Sequence, residues 1–542
     1  MVKKMALLFS VLLFIGSLFF FVYESEHAEV PDTYESGALK GEVHEARKLQ
    51  KRLAKTLDGT SVQLCFKGEL LACDRESLTF YLPVDMETDA WEAGTFADQS
   101  GEFGILPLED YTRLEKKETV SSGYAVPFLA WNEKEGTCTT IYVVFTGLPV
   151  VRMETDASLD VDTVFAGSVE FYENCGKEDW TLQSVFQAHE RGQTTRAYPK
   201  KGYRVDLISV TSTGVINKNK EKVLGMRKSD SWIFYAIYSD GTKVRDQFNT
   251  RIWDRLGAWD TPYDTRFGTS MKYVELVVNG EYRGLYGIFE PIDSTQLEIS
   301  DQEYLYKRTY GRELLAETMD SVAPSEYLTV LGMELKGRNG QGNGEDWKCF
   351  RTFVEMCQSD DETFRAEAEK LLNMDNVADI WLYLQMMYAE DNIYKNMFFA
   401  FKKESDGYRM YLVPWDTDLT WGNTYVDDGE QLYVQWSPEH AQDYLEWPFL
   451  DRLLKLDVGN IREKVAARWQ KLRQDELSDE NLKNMLDDCI HEVQDSGAFA
   501  RDAARWPDSR HDGDYEGMES YLKTRIAWLD KTMKNMDEQI EK

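Results

Sequence analysis

The sequence lacks the short motifs that mark several common enzyme classes. Its six histidines form no HExxH or similar metal pair, and its seven cysteines include neither a CxxC pair nor a zinc-type cluster with histidine. The G-x-S-x-G elbow of a serine hydrolase is missing. A glycine run at Gly340–Gly344 follows no strand of dinucleotide-binding type and precedes no lysine at P-loop spacing, which indicates a flexible loop. These absences argue against a zinc enzyme, a serine hydrolase and a P-loop NTPase.

Positive charge is scarce. The chain has 62 Lys and Arg against 95 Asp and Glu, for a formal net charge of −33. This balance argues against nucleic acid or an anionic lipid surface as the main partner. A strongly negative field also repels nucleotide phosphates. Any ATP site in this chain therefore needs local Lys or Arg side chains together with a divalent cation.

Long apolar runs are scarce as well, since only Met5–Tyr23 could reach across a bilayer. Lys3 and Lys4 precede this run, as in an export signal or a membrane span. Its length favours an uncleaved anchor at residues 5–23 over a cleaved signal. We therefore expect a single-pass protein of the cell membrane with an extracytoplasmic C-terminal domain, and a secreted protein is the alternative.

The odd number of cysteines leaves at least one unpaired or in an intermolecular bond. Cys65 and Cys73 flank a predicted hairpin and could form a disulfide. Buried free thiols are the alternative, and the sequence does not decide between the two.

The 542 residues, with 42% hydrophobic and 13% aromatic content, are enough for a large core and more than one domain. A polar stretch is followed by short strands broken by Gly, Asp and Pro, and then by mixed strands and helices. The predicted organisation is a signal or anchor segment at 1–25, a polar stalk at 26–58, a β-rich domain at 59–145 and a catalytic domain with a helical C-terminal part at 146–542.

One hairpin is predicted with particular clarity. Asn279 and Gly280 separate the β-rich runs Tyr273–Val278 and Tyr282–Phe289. Both turn residues tolerate the positive φ of a type I′ turn, which makes Asn-Gly the strongest short-range hairpin signal. From Trp447 onwards the apolar spacing is helical.

Two acidic segments have the spacing of a kinase site. Asp391 precedes Asn396 by five positions, the separation in kinase catalytic loops between the general base and a metal-binding Asn. Asp416 and Asp418 follow the strand-like run Arg409–Val413, and a carboxylate after a buried strand can bind Mg²⁺. Spacing alone is weak evidence, because Asp-x4-Asn is common and Asp also caps turns.

The stretch Tyr388–Gly422, "YAEDNIYKNMFFAFKKESDGYRMYLVPWDTDLTWG", resembles the signature of the CotH (spore coat protein H) kinase family, D-N-x-x-x-N followed by P-W-D-x-D. Other segments match the family in order: "TGLPVVRMET", "RGQTTRAYPKKGYRVDL", "WIFYAIYSDGTKVRDQF", "YVELVVNGEYRGLYGIFEPID" and "YLYKR". The resemblance covers about Thr146 to Lys531. Several ordered motifs are more specific than any one of them.

The resemblance implies an α+β, atypical protein-kinase-like catalytic domain, here preceded by a small all-β domain and an N-terminal hydrophobic anchor. It further implies a kinase that uses ATP and Mg²⁺ to phosphorylate Ser or Thr in a protein of the cell surface, the spore coat or the secreted fraction. Asp391 would be the catalytic base, Asn396 and Asp416 would bind metal, and Asp418 would be a second-metal or structural residue.

Three further residues are expected in the nucleotide site. Arg204 and Lys307 lie in matching strands and are expected to contact phosphates, because the site needs cations. Glu290, at the end of the hairpin, is expected to orient one of them as an ion pair. A surface or capping carboxylate is the alternative role of Glu290.

Two departures from the family pattern bear on activity. The glycine-containing stretch is Arg191-Gly-Gln-Thr-Thr, and Asp206 stands where the family commonly has Lys. Either the Asp206 side chain points away from the nucleotide or this protein binds ATP poorly. If the protein binds ATP poorly, we expect a catalytically weak or inactive interaction and assembly module of the cell envelope or spore coat.

The predicted anchor leads to a test of location. A truncated chain that begins at Glu29 should be soluble, because no other run in the sequence is long enough to hold the protein in a bilayer. Detergent phase partitioning of the full and truncated chains measures this. Partitioning of the truncated chain into the detergent phase would show that the single-span assignment is wrong.

Overall fold

The computed structural model describes residues 37, 39–53, 55–157, 163–192, 194–257, 263, 266–311, 314–337, 342–425, 433–435, 438–534 and 536. These residues form a mixed structure of helices and sheets, in agreement with the predicted α+β class. Among the described helices, none combines the length and apolarity needed to cross a membrane. The predicted anchor at residues 5–23 lies outside the described residues.

In chain order the strands are β1 Lys55–Thr56, β2 Leu64–Phe66, β3 Glu69–Leu70, β4 Ala72–Asp74, β5 Thr79–Pro83, β6 Phe96–Asp98, β7 Gly104–Pro107, β8 Ala125–Asn132, β9 Thr137–Thr146, β10 Val150–Glu154, β11 Phe165–Tyr172, β12 Thr181–Arg191, β13 Gly202–Val210, β14 Ile216–Lys218, β15 Glu221–Lys222, β16 Lys228–Ser229, β17 Ser231–Tyr235, β18 Met271–Val278, β19 Glu281–Phe289, β20 Tyr304–Arg308, β21 Met333–Leu335, β22 Met397–Glu404, β23 Gly407–Pro414, β24 Asn423–Tyr425 and β25 Tyr433–Gln435.

The α-helices are α1 Lys40–Arg52, α2 Lys116–Ser121, α3 Arg245–Leu256, α4 Ala316–Ser321, α5 Tyr327–Leu331, α6 Lys348–Gln358, α7 Asp361–Leu371, α8 Met374–Met387, α9 Asp391–Tyr394, α10 Pro448–Leu456, α11 Ile461–Gln474, α12 Asp479–Gln494, α13 Ala498–Arg505 and α14 Tyr515–Lys534. The helices from α10 onwards agree with the helical tail predicted from Trp447.

The chain divides into two compact units, each drawn from several segments. The first unit contains residues 1–238, 272–290 and 490–511, and the second contains residues 239–271, 291–489 and 512–542. The predicted boundaries at 58/59 and 145/146 do not coincide with this division. The predicted domain organisation therefore stays a prediction.

The first unit is built mainly from two sheets. One has the order β4-β5-β9-β8-β7, with β1 beside β9. The other has the order β12-β11-β10-β18-β19-β17-β13-β14, and β12 also pairs with β13, so that this sheet closes on itself. Alternate residues of β13 are buried in an apolar core, namely Tyr203, Val205 and Leu207. The period of two is that of a strand with one face inside.

Residues 59–145 form part of this first unit. They contain β2 to β8 and most of β9, together with the short helix α2. The segment is thus β-rich, as predicted, but contains one helix among its described elements. Before it, α1 lies in the predicted stalk and buries Ala46 and Leu49 in a small cluster with Leu129.

The predicted hairpin is confirmed. Strands β18 and β19 pair on either side of Asn279 and Gly280, whose φ angles of 52° and 72° are both positive. The turn also contacts the β-rich region of the same unit, because the backbone N–H of Arg75 donates to the Gly280 carbonyl at 2.8 Å. Asp74 accepts from the backbone N–H of Tyr282 at 3.0 Å.

All seven cysteines are described, and each is a free thiol. The disulfide between Cys65 and Cys73 that the sequence left open is therefore not formed. Burial raises the pKa of the Cys65 thiol to about 11 and that of Cys73 to about 12. Both groups are neutral at physiological pH.

The second unit combines helices with a four-stranded sheet of order β21-β20-β22-β23 and a two-stranded pair, β24-β25. Helix α8 is buried from Asn376 to Met387 and is apolar on average, as expected for a helix inside a large core. The amide of Asn376 in α8 donates to the Leu412 carbonyl of β23 at 2.9 Å and accepts from its N–H at 2.7 Å. This pairing fixes the strand that leads into Asp416.

A buried ion cluster ties helix α13 to the hairpin inside the first unit. Asp502 is fully buried and accepts from Lys200 Nζ at 2.6 Å and from the Leu285 backbone N–H at 2.9 Å. Its second oxygen lies 2.8 Å from His511 Nε2. A Cβ at Gly284 would come within 2.1 Å of the Asp502 carboxylate, so the closeness of the two elements requires glycine there.

Loss of this carboxylate should be strongly destabilising. Asp502→Ala leaves the fully buried Lys200 without its counter-charge, and we expect the free energy of unfolding to fall by about 3 to 5 kcal/mol. Asp487→Ala, which breaks an exposed pair with Lys483, should cost at most about 0.5 kcal/mol and serves as the control. Urea unfolding followed by tryptophan fluorescence measures both. Equal effects of the two substitutions would contradict the structural role of Asp502.

Candidate active site

Asp391 and Asn396 lie at the two ends of a short loop segment that consists of helix α9 and the two residues before strand β22. Helix α9 begins at Asp391, and the chain leaves it through Lys395 in an extended conformation. Asn396 then adopts φ +58°, a left-handed conformation that Asn tolerates better than most residues. Its backbone N–H donates to the Arg308 carbonyl of β20 at 3.0 Å. The loop is therefore anchored on the sheet.

Asp391 is held by two side chains of its own loop. Asn396 Nδ2 donates to one carboxylate oxygen at 2.7 Å, and Lys395 Nζ lies 3.2 Å from the other. The Asp391 side chain is 19% exposed, so this oxygen pair remains accessible to a ligand. The predicted base and the predicted metal ligand Asn396 are thus direct neighbours.

The second acidic segment is attached to the same loop. The backbone N–H of Trp415 donates to the Asn396 carbonyl at 3.0 Å. The buried amide of Asn392 donates to the carbonyls of Asn396 at 3.1 Å and Trp415 at 2.8 Å. Asp416 comes next, with φ +60°. The Asn392 side chain thus fixes the backbone before Asp416 relative to the loop of Asp391.

The carboxylates of the site perturb one another. Burial raises the pKa of Asp391, and Asp416 raises it further against the opposing effect of Lys395. Burial and then Asp416 raise the pKa of Asp418 to about 7, although Asp418 accepts a hydrogen bond from Ser239. The site is therefore rich in negative charge that its own residues do not balance.

Lys395 places a positive charge directly beside this cluster, 3.2 Å from Asp391. Burial lowers the pKa of its ammonium group, but Asp391, Asp416 and Asp418 outweigh that effect and raise it above its usual value. Lys395 is therefore protonated at physiological pH. The sequence prediction assigned it no role, although it stands inside the motif that carries Asp391 and Asn396.

Helix α3 contributes residues that the sequence prediction missed. Asp246, in its first turn, accepts from the backbone N–H of Thr417 at 3.0 Å and from its hydroxyl at 3.2 Å. Asn249, one turn further, donates to the Thr417 carbonyl at 2.8 Å. Burial, then Asp418 and Asp416, raise the pKa of Asp246 well above its usual value. A local signal was available, because Asp246 lies within the family-like stretch Trp232–Phe248 and Asn249 directly follows it.

Lys307 lies on β20, one position before the residue that anchors Asn396. Its strand partner is Phe398, and its Nζ lies 5.5 Å from the centre of that ring. The predicted phosphate contact is thus placed on the sheet that carries the loop.

Arg204 lies in the first unit, on β13. Its Nε is 3.4 Å from a carboxylate oxygen of Asp206, and this same oxygen accepts from the Ser231 hydroxyl at 2.5 Å. Residues two apart on a strand share a face, and both side chains here are partly exposed. Asp206 therefore does not point away from Arg204 but partly neutralises it.

Glu290 also lies in the first unit, directly after β19. It accepts from the backbone N–H of Arg227 at 2.9 Å, and its second oxygen is 3.9 Å from Arg227 Nε. Glu290 thus contacts Arg227, and its expected pairing with Arg204 or Lys307 stays a prediction. The contact with Arg227 arises from the local course of the chain, which brings the segment before β16 against the end of the hairpin.

Four predicted residues thus come together in the second unit: Asp391, Asn396, Asp416 and Asp418. Among the described residues, no three His, Cys, Asp or Glu side chains form a group that could hold a metal ion by themselves. Mg²⁺ is commonly bound through one or two carboxylates, with water and substrate phosphate oxygens as the remaining ligands. The amide oxygen of Asn396 and the carboxylate of Asp416 are oxygen donors of the kind that this mode of binding uses.

Comparison with known proteins identifies the family to which this chain belongs. Residues 188–529 match the family described as CotH kinase protein. The search of curated proteins found no match. The matched range begins in β12, ends in α14 and contains every predicted site residue. Because it covers more than half of the chain, the protein belongs to the CotH kinase family.

Proposed function

We propose that this protein is an extracytoplasmic protein kinase that transfers the γ-phosphoryl group of ATP to a Ser or Thr hydroxyl. The family is kinase-like. The observation that carries the proposal is the contact between Asn396 Nδ2 and Asp391 at 2.7 Å, with Asp416 close enough to raise the pKa of Asp391. A base and a metal-binding pair in this arrangement are what phosphoryl transfer requires of a protein.

Asp391 is the proposed catalytic base. Its carboxylate accepts the proton of the acceptor hydroxyl and orients that hydroxyl toward the phosphorus. A pKa raised by burial makes the carboxylate a better proton acceptor than an exposed Asp. Lys395 and Asn396 hold its two oxygens, which limits the rotation of the side chain.

Asn396 and Asp416 are the proposed metal ligands, and Asp418 is a second-metal or structural residue. Mg²⁺ bound with ATP would offset negative charge on the phosphates and on the carboxylates. Both ligands adopt positive φ, which aims their side chains in directions that an ordinary strand end would not provide. The backbone at Asn396 and Asp416 therefore departs from strand geometry, which agrees with a role in metal binding rather than in strand pairing.

Lysine and arginine residues are proposed to supply the remaining positive charge. Lys395 adjoins the carboxylates directly, and Lys307 lies on the strand that anchors the loop. Arg204 is a weaker candidate than the sequence suggested, because Asp206 offsets part of its charge. We assign the phosphate contacts to Lys395 and Lys307 first, and to Arg204 second.

The proposed substrate is a protein of the cell surface, the spore coat or the secreted fraction. Support comes from the hydrophobic run at residues 5–23, which would hold the kinase in the membrane or direct its export. The net charge of −33 gives no support for a nucleic-acid partner.

An assembly module of the cell envelope or spore coat is the second candidate, and the Arg204–Asp206 contact favours it. An arginine paired on its own strand contributes less to binding phosphate than an unopposed one. If the protein is such a module, it has the same fold but transfers phosphoryl groups weakly or not at all.

Replacing the base separates chemistry from nucleotide binding. Asp391→Ala should bind ATP with nearly normal affinity and reduce phosphoryl transfer, or autophosphorylation, by about 10² to 10⁴, the usual effect of losing a general base. The neighbouring Glu390→Ala removes an exposed carboxylate from the same turn and should leave transfer unchanged. Radiolabelled ATP assays on the purified protein and on envelope proteins measure transfer.

The opposite result would support the assembly module. In that case the wild type transfers no phosphate to any envelope protein, and Asp391→Ala fully complements a deletion strain. This pair of results would reject the kinase function without affecting the family assignment.

Asp416→Asn should weaken metal-dependent nucleotide binding. The substitution removes one charged ligand, and Asn tolerates the positive φ at this position. We expect ATP affinity at limiting Mg²⁺ to fall by about tenfold or more. Asp406→Asn, an exposed carboxylate at the other end of β23, is the control and should have no effect. Unchanged affinity in a folded Asp416→Asn protein would remove Asp416 from the metal site.

A further inference from the structure

Asp246 carries a buried oxygen that nothing in its surroundings satisfies. The residue is 4% exposed, and its Oδ1 accepts both hydrogen bonds from Thr417. Its Oδ2 is buried and has no hydrogen-bond partner among the described residues. A carboxylate oxygen in this state costs free energy, because it has lost water without gaining a donor. Such an atom indicates that a further group belongs beside it.

Helix α3 uses three side chains to hold the loop in which the metal-binding residues stand. Arg245 Nε donates to the Thr420 carbonyl at 3.0 Å. Asn249 donates to the carbonyl of Thr417, and Asp246 accepts from its N–H. Thr417 is therefore fixed at both its backbone groups. Because it stands between Asp416 and Asp418, the helix determines where both carboxylates lie.

The charges around the unsatisfied oxygen point to a cation. Asp416 and Asp418 both repel Asp246. The nearby buried Asp240 differs, since it is bound to the Arg245 guanidinium and to Thr242. The charge of Asp240 is thus matched, whereas burial and the two neighbouring carboxylates oppose ionisation of Asp246. The group that would relieve Asp246 is positive or donates hydrogen bonds.

The position of Asp246 makes it an indirect partner of that cation. Three carboxylates of this cluster do not form a metal-holding group by themselves. Mg²⁺ keeps several water ligands, and each water donates hydrogen bonds to groups around the ion. A buried carboxylate oxygen that lies near enough to Asp416 and Asp418 to feel their charge is suited to accept one of these hydrogen bonds.

We propose that Asp246 is a positioning residue of the metal site, which fixes Thr417 with one oxygen and accepts a hydrogen bond from a water ligand of the bound divalent cation with the other. The inference rests on the proposed function, because it presupposes a cation at Asn396 and Asp416. It extends that proposal to a residue of helix α3 that lies 171 positions from Thr417 in sequence.

Asp246→Asn separates this role from a purely structural one. The amide oxygen still accepts from Thr417, while the amide nitrogen replaces Oδ2 and can donate to Asp416 or Asp418. Without metal, the variant should therefore unfold at a higher denaturant concentration than the wild type. Its Mg²⁺ affinity should nevertheless fall by about tenfold or more. A structural role alone would move stability and metal affinity in the same direction.

The measurements are urea unfolding without metal and calorimetric titration of Mg²⁺ into the full-length protein saturated with adenylyl imidodiphosphate. Asp254→Asn is the matched control, since it removes the same charge from the exposed end of α3 and should change neither quantity. A Mg²⁺ affinity within about twofold of the wild type would overturn the inference and leave the proposed function intact. Destabilisation or misfolding of Asp246→Asn would overturn it as well. Absence of Mg²⁺ binding by the wild type would instead reject the proposed function, and the inference with it.

Discussion

The geometry of the candidate active site depends on the side-chain amide of Asn392. Its nitrogen donates to the carbonyls of Asn396 and Trp415, and the residue is 1% exposed. These two carbonyls belong to segments separated along the chain by the β22–β23 hairpin. Because both are bound by one rigid group, the distance between the loop of Asp391 and the turn of Asp416 is set inside the core. Neither segment can shift without breaking a buried hydrogen bond.

This anchoring matters because the groups that it assembles repel one another. Asp391, Asp416 and Asp418 repel one another when ionised, and Asp246 of helix α3 lies close enough to feel Asp416 and Asp418. Burial strengthens such repulsion because the protein interior screens charge poorly. The hydrogen bonds from Asn392 and helix α3 hold the loop together against it. The net charge of the whole chain has the same sign, so it does not relieve the site.

The sequence predicted the part of the site that is local. Asp391 and Asn396 stand in one turn, and Asp416 follows one strand, so spacing alone places them on two short segments. The Asn279–Gly280 hairpin was predictable for the same reason, since two adjacent residues determine its turn. Helix α3 could not be found in this way. Asp246 meets Thr417 across 171 positions, and a contact of that range depends on the packing of the whole second unit.

Ion pairs were harder to predict than positions. The strand period already placed Arg204 and Asp206 on one face, but it did not show that the two side chains would bind each other. Glu290 lies after the hairpin, as predicted, and its described contact is with Arg227, a residue that the sequence did not suggest as a partner. Its contact with Arg227 depends on the loop before β16, which no local pattern describes. Long charged side chains can reach several partners, so their pairing is decided by the fold around them.

The buried carboxylates of this protein bear on the choice between an enzyme and an assembly module. An assembly module needs a stable fold and a surface, and it gains nothing from buried carboxylates that raise one another's pKa. The first unit shows how this chain neutralises a buried acid where stability is the only demand, since Asp502 is bound by Lys200, His511 and a backbone N–H. In the second unit, by contrast, Asp416 and Asp418 lie close enough to raise the pKa of the buried Asp246, and clusters of acids with perturbed pKa values are typical of functional sites. This grouping of acids supports the kinase over the assembly module, because a divalent cation with ATP would offset their charge.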